Sequence, residues 1–169
     1  MSEENLIVRS QLIPLEGLRL VLPNTAIAEI VSFKKIDLPE HEVPEWILGI
    51  VTWRELRIPL IAFEVANGQL DKTPSVNKNT RIVVLNTVTG SEQLHFYGMV
   101  VQGIPRLIGL DNSNTQDAPD QLELNPFELR KVLIDGNVAV IPDQEAIENS
   151  LTQLGMTIDN IDSSTAQAD

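Results

Sequence analysis

The sequence predicts an all-β chain of the barrel or sandwich kind, on three observations. Short apolar runs rich in β-branched residues recur along it, and Gly, Pro, Asn and Asp break them at close intervals. Helical periodicity is confined to one segment near the C-terminus. At 169 residues the chain has the length of one domain, or of two tightly joined halves, and can bury a sizeable core.

The first runs, Leu6 to Leu15 and Leu18 to Leu22, are separated by Glu16-Gly17, which suits a tight hairpin because Gly tolerates positive φ. Pro23-Asn24-Thr25 breaks the second run. TAIAEIVSF then starts as a helical turn capped by Asn24 or Thr25 and runs out as a strand ending near Phe33. In DLPEHEVPEWI, Pro44 opens a short helix, where its missing amide proton is not needed.

The segment from Trp46 to Glu64, WILGIVTWRELRIPLIAFE, is the most informative in the chain. It places two apolar runs around a charged tip, Arg54-Glu55-Leu56-Arg57. Alternation puts Leu48, Ile50 and Thr52 on one face and Val51 and Trp53 on the other, so both faces are largely apolar, as in a strand enclosed by a barrel. Trp53 is expected in the core, while Trp46 closes a barrel end or caps a groove. Ile58 to Phe63 is the return strand. Its Pro59 removes a ladder donor, which predicts an edge strand or an outward-facing Pro59.

Ala66 to Thr80 is rich in turn formers and reads as a long exposed connection between two halves. The second half repeats the spacing of the first: Arg81 to Leu85, the loop TVTGSEQ, Leu94 to Val101, and Pro105 to Leu110. A polar loop, Asp111 to Gln121, precedes Val132 to Ile134 and Val138 to Ile141, which Asp135-Gly136-Asn137 joins as a strong hairpin turn. After Pro142, the apolar residues Ala146, Ile147, Leu151 and Leu154 recur at helical spacing up to a Gly155 stop. The remainder, 155–169, is small, polar and acidic, and is expected to be a flexible tail.

Charge and composition exclude several functions. A formal net charge of -12 disfavours nucleic acid and acidic membrane surfaces as partners, because both are bound by basic surfaces. Without cysteine there is no disulfide, thiol nucleophile or cysteine metal site. No apolar h-region opens the chain, and no run approaches the roughly 18 apolar residues of a spanning helix, so a cytoplasmic protein without membrane insertion is expected. His41 lies among Glu40, Glu42 and Glu45 but reads as part of a solvated loop, since a metal site needs several converging ligands. His95 reads as an exposed strand residue. Glu145 and Glu148 read as solvated carboxylates on a helix face. With no phosphate loop, nucleophile elbow or zinc spacing, no catalytic, cofactor or metal residue is assigned.

GIVTWRELRIPLIAFE is similar to the signature of the CheW-like domain, and AIAEI at Ala26 to Ile30 looks like that family's valine and glutamate segment. RIVVL, FYGMVV and the DGNVAVI turn fall where the family carries its second-half strands, so the resemblance covers most of the chain. It implies two small SH3-like five-stranded β-barrels packed together. On that reading residues 1–8 lead into one domain, 9–154. Its first barrel is 9–64 plus the C-terminal helix, and its second is 81–141.

The resemblance also implies a non-catalytic adaptor without cofactors. Such an adaptor couples the cytoplasmic tip of a methyl-accepting chemoreceptor to the regulatory domain of a CheA-type histidine kinase. Among the branches, the chain looks most like the adaptors of pilus-linked twitching systems. Carried over by position, Arg54 matches the family's signature arginine at the receptor-facing surface, Glu29 the glutamate often paired with it, and Ile27 an apolar contact. Grooves between strands recognise partners through apolar anchors, which adds Val31 and Ile58 to the candidates. Three positions depart from the pattern: Glu55 replaces a glycine, Ala62 an aspartate, and Gln102 stands near an aspartate. These bear on which partner is bound. Two other readings stand beside this one: an Arg54–Glu29 pair that merely pins the tip, and a small-ligand-binding barrel with its pocket between the halves.

Overall fold

Strands β1 (Val8–Pro14) and β2 (Arg19–Pro23) form the first hairpin, in register Leu12 with Val21, around Gly17 at φ +83°. The computed structural model describes residues 7–119 and 123–161. One 3-10 turn, Asn24–Ala26, leads from β2 to β3 (Ile27–Ser32). No side chain caps this turn. Asn24 instead accepts a hydrogen bond from Gln11 across the hairpin.

β4 (Ile47–Trp53) and β5 (Leu56–Ile61) follow, then a four-residue helix α1 (Phe63–Ala66), β6 (Arg81–Asn86) and β7 (Phe96–Val101). The chain closes with β8 (Arg106–Leu110), β9 (Thr115–Asp117), β10 (Glu128–Ile134), β11 (Asn137–Pro142) and helix α2 (Gln144–Gln153). The Asp143 side chain caps α2 by accepting from the Ala146 amide.

The strands form two curled sheets, in the orders β8-β1-β2-β11-β10-β9 and β3-β6-β7-β5-β4. This pairing departs from the division into 9–64 and 81–141. β1 and β2 join the late strands through a parallel contact of Leu20 with Val140, while β6 and β7 join β3 to β5. Each sheet curls around its own apolar interior. Leu12, Val21, Val132, Ile134 and Ala139 fill the first, and Val51, Trp53, Ile58, Leu60, Ile82, Val84 and Val100 fill the second. A third and larger cluster lies between the sheets and under α2. It includes Ile13, Leu20, Phe63, Val83, Leu85, Tyr97, Met99, Ile147 and Leu151.

Several local expectations are corrected. Pro44 accepts a turn bond from the Ile47 amide and opens no helix. β5 is an interior strand with Pro59 buried, tolerated because its parallel ladder to β7 begins one residue later, at Leu60 with Gly98. Leu48 does not share a face with Ile50: a bulge between Ile47 and Gly49 turns it toward the Val51 and Trp53 cluster. The connection after Ala66 is tied down, since Ser75 donates its amide to Glu16 and Gln102 donates to the Ser75 carbonyl. β9 lies within the expected polar loop, of which residues 120–121 are outside the described part.

Glu148 is buried, with its carboxylate accepting the Val88 and Thr89 amides, so α2 clasps the β6–β7 loop. His41 Nε2 lies 2.9 Å from the Leu154 carbonyl and ties its loop to the end of α2. The chain stays packed beyond Gly155: Met156 and Ile161 are buried, and the Ile158 amide donates to Gln93. Only residues 162–169 of the expected tail, and 1–6 of the leading segment, lie outside the described residues.

Candidate functional site at the β4–β5 tip

β4 and β5 are joined by two residues, Arg54 and Glu55, at φ +47° and +67°. Positive φ at both central positions is the mirror-image turn whose twist matches a hairpin, and it normally calls for Asn or Gly. Glycine adopts that geometry without strain, whereas Glu55 holds it with a side chain. Behind the tip, Gly49 at φ +150° lets β4 pass against the 36–37 segment, where a Cβ would overlap the Ile36 side chain and the Asp37 carbonyl.

The tip leans on β3. β3 and β4 are the two edges of the second sheet, and side chains bridge the gap between them. The Trp53 indole N–H donates to Glu29 Oε2 at 2.7 Å, and Arg54 Nε donates to the same oxygen at 3.1 Å. Arg54 also lies over the Trp53 ring, 5.1 Å from its centroid, while Trp53 packs edge-on against Phe96 at 4.9 Å. Lys34 adds a bond to the Thr52 carbonyl. The Trp53 hydrogen bond, with help from Arg54, holds the Glu29 carboxyl below its usual range.

Arg54 is 67% exposed, and its terminal nitrogens have no acceptor among the described residues. The arrangement therefore holds a guanidinium face at a fixed place on the surface, its Nε and ring side occupied and its outer donors open. Open guanidinium donors of this kind can donate to a carboxylate or carbonyl oxygen.

Of the five candidate residues, Glu29 and Arg54 meet directly. Ile27 and Val31 are half-buried on the same strand, packed on the central cluster and on the second-sheet interior respectively. Ile58 is 3% exposed and packs in the second-sheet interior. Sequence reasoning missed the part of Trp53 that reaches Glu29. The available signal was chemical: a core Trp still needs an acceptor for its N–H.

Two curled sheets around a packed centre, with an aromatic and ionic tip and no metal-ligand cluster among the described residues, define the class as a small two-sheet β module. The CheW-like domain family model matches residues 10–151, and the chain belongs to that family, whose members are non-catalytic chemotaxis scaffolds. No curated protein sequence matches. The fold is similar to that of the scaffolding protein TtCheW from Thermoanaerobacter tengcongensis. The two share 19% identity at a TM-score of 0.66, covering 84% of this chain and 88% of that one.

Proposed function

We propose that this chain couples the cytoplasmic tip of a methyl-accepting chemoreceptor to the regulatory domain of a CheA-type histidine kinase, within the cytoplasm. The system it serves is chemotaxis or pilus-based motility. The observation that supports this reading is the Glu29–Trp53–Arg54 cluster, which spends a strained two-residue turn on presenting an exposed arginine. No helix among the described residues is long and apolar enough to cross a membrane. The ligand-binding alternative loses ground because packed side chains of both sheets occupy the space between them.

The test is Arg54→Ala. An exposed ion pair contributes little to folding, whereas an interface anchor carries far more in binding. The melting temperature is expected to stay nearly unchanged while capture of a receptor fragment falls at least tenfold. Unchanged capture sinks the proposal.

A further inference from the structure

Glu64, the second residue of α1, is buried and ties the two sheets together. Its Oε2 accepts the amide of Glu16, in the β1–β2 turn, at 3.1 Å, and its backbone carbonyl accepts the amides of Gln69 and Leu70 in the long connection. Glu16 in turn accepts the Ser75 amide at 3.0 Å, and the Ser75 carbonyl accepts from Gln102. One buried carboxyl thus stands where a turn of the first sheet, the helix after β5 and the connection to β6 meet.

This junction is incompletely paired. Glu64 Oε1 is buried without a partner among the described residues, and so are both polar atoms of the Asn67 side chain. Residues three apart on a helical turn are neighbours, and Asn67 keeps helical backbone angles at the end of α1, which puts the two side chains on one face. An ionised Glu64 can only accept, so it offers nothing to the Asn67 Oδ1. A proton on Oε1 makes it a donor and gives both unpaired oxygens a bond.

The surroundings favour that proton. Burial, with the like charge of Glu16 added, raises the Glu64 carboxyl above its ordinary value against the pull of the backbone amides bonded to it. The nearby cations are engaged or in solvent: Arg19 of β2 donates to the Val138 carbonyl, Arg81 of β6 to the Lys78 and Thr80 carbonyls, and Lys72 and Lys78 of the connection are exposed, as is Asp71.

We propose that Glu64 is a proton-operated latch between the two sheets. Protonated, it bonds to Asn67 and closes the junction; ionised, it leaves a buried charge beside Glu16 and loosens the hold of the β1–β2 turn on α1. The latch is independent of the Arg54 surface and of the receptor-and-kinase reading.

A pH titration of the full chain, followed by nuclear magnetic resonance and by urea denaturation, tests it beside Glu64→Gln. The amide of that variant keeps an acceptor for Glu16 and supplies a permanent donor for Asn67. Between the ordinary and the raised values only the folded chain holds the proton. Wild-type stability relative to Glu64→Gln is therefore expected to fall as pH rises through that window, by up to about tenfold in the folding constant per pH unit, and to level off above it. The Glu16 amide is expected to shift in a step centred above the ordinary glutamate range and absent from Glu64→Gln. Asn67→Ala, checked for an otherwise unchanged spectrum, is expected to move that step to lower pH, because the proton loses its acceptor. A wild-type Glu16 amide with no step above the ordinary range, a step that persists in Glu64→Gln, or a stability ratio that does not vary with pH overturns the proposal. A step unmoved by Asn67→Ala overturns the bond that closes the latch.

Discussion

Two of the hairpin tips of this protein share left-handed φ angles and carry opposite chemistry. Arg54-Glu55 joins β4 to β5, and Asp135-Gly136 joins β10 to β11, each with positive φ at both positions: +47° and +67° in the first, +49° and +81° in the second. Asp-Gly is the pairing such a turn prefers. Arg-Glu is not: a side chain held in the left-handed region costs about 1–2 kcal/mol per residue. The second tip is held through its backbone, the Asp135 amide donating to the Asn114 carbonyl and the Asp135 carbonyl accepting from the Asn137 side chain, while the first is braced through side chains, by Glu29, Trp53 and Lys34 across the open edge of its sheet. The difference separates a turn that reverses the chain with residues suited to it from one that keeps strained residues and holds a side chain in place.

The largest expected effect lies behind the first tip. Gly49→Ala adds a Cβ where the Ile36 side chain and Asp37 carbonyl already stand, at a φ that disfavours any side chain. Urea denaturation is expected to show a loss on the order of 3 kcal/mol. A loss below about 1 kcal/mol means that the 36–37 segment yields, and the bracing of the first tip is then less rigid than the contacts indicate.

The tips themselves give smaller changes of opposite sign. Around Gly136 there is open space, so Gly136→Ala suffers only from its φ and is expected to cost about 1–2 kcal/mol. Glu55→Gly relieves a similar strain but adds about 0.5–1 kcal/mol of unfolded-chain entropy, for a net gain of about 0.5 kcal/mol. Chemical denaturation of both variants tests the contrast directly. Destabilisation by Glu55→Gly removes the claim that the first tip is strained.

This contrast also marks what was legible in the sequence. Asp135-Gly136 announced its hairpin outright, whereas the first tip was readable only from the apolar runs around Arg54. Hairpins depend on local turn chemistry, but the order of strands in the two sheets does not. The parallel contacts of Leu20 with Val140 and Leu60 with Gly98 join residues far apart in the chain, and nothing local to either partner encodes them. Glu148 misled for a related reason: a Glu on a helix reads as solvated until a distant loop supplies amides for its carboxylate. At the site, Glu29 and Arg54 were reachable through the family resemblance. The burial of Ile58 was not legible, because alternation along a strand gives two faces without saying which is enclosed.

The smallest expected effect concerns the charge state that holds the first tip together. Glu29 has its carboxyl held below the usual range by Trp53 and Arg54, so its contribution is present above the unfolded-state value and is lost as pH falls through the depressed one. Acidification is therefore expected to change Trp53 fluorescence in a step centred below the ordinary glutamate range. Trp46 also fluoresces, but it packs against Phe127 in a different part of the molecule. Glu29→Gln isolates the step, because the amide oxygen still accepts the indole N–H and carries no titrating charge. If the step persists in Glu29→Gln, another group reports it, and the braced tip does not depend on the Glu29 charge.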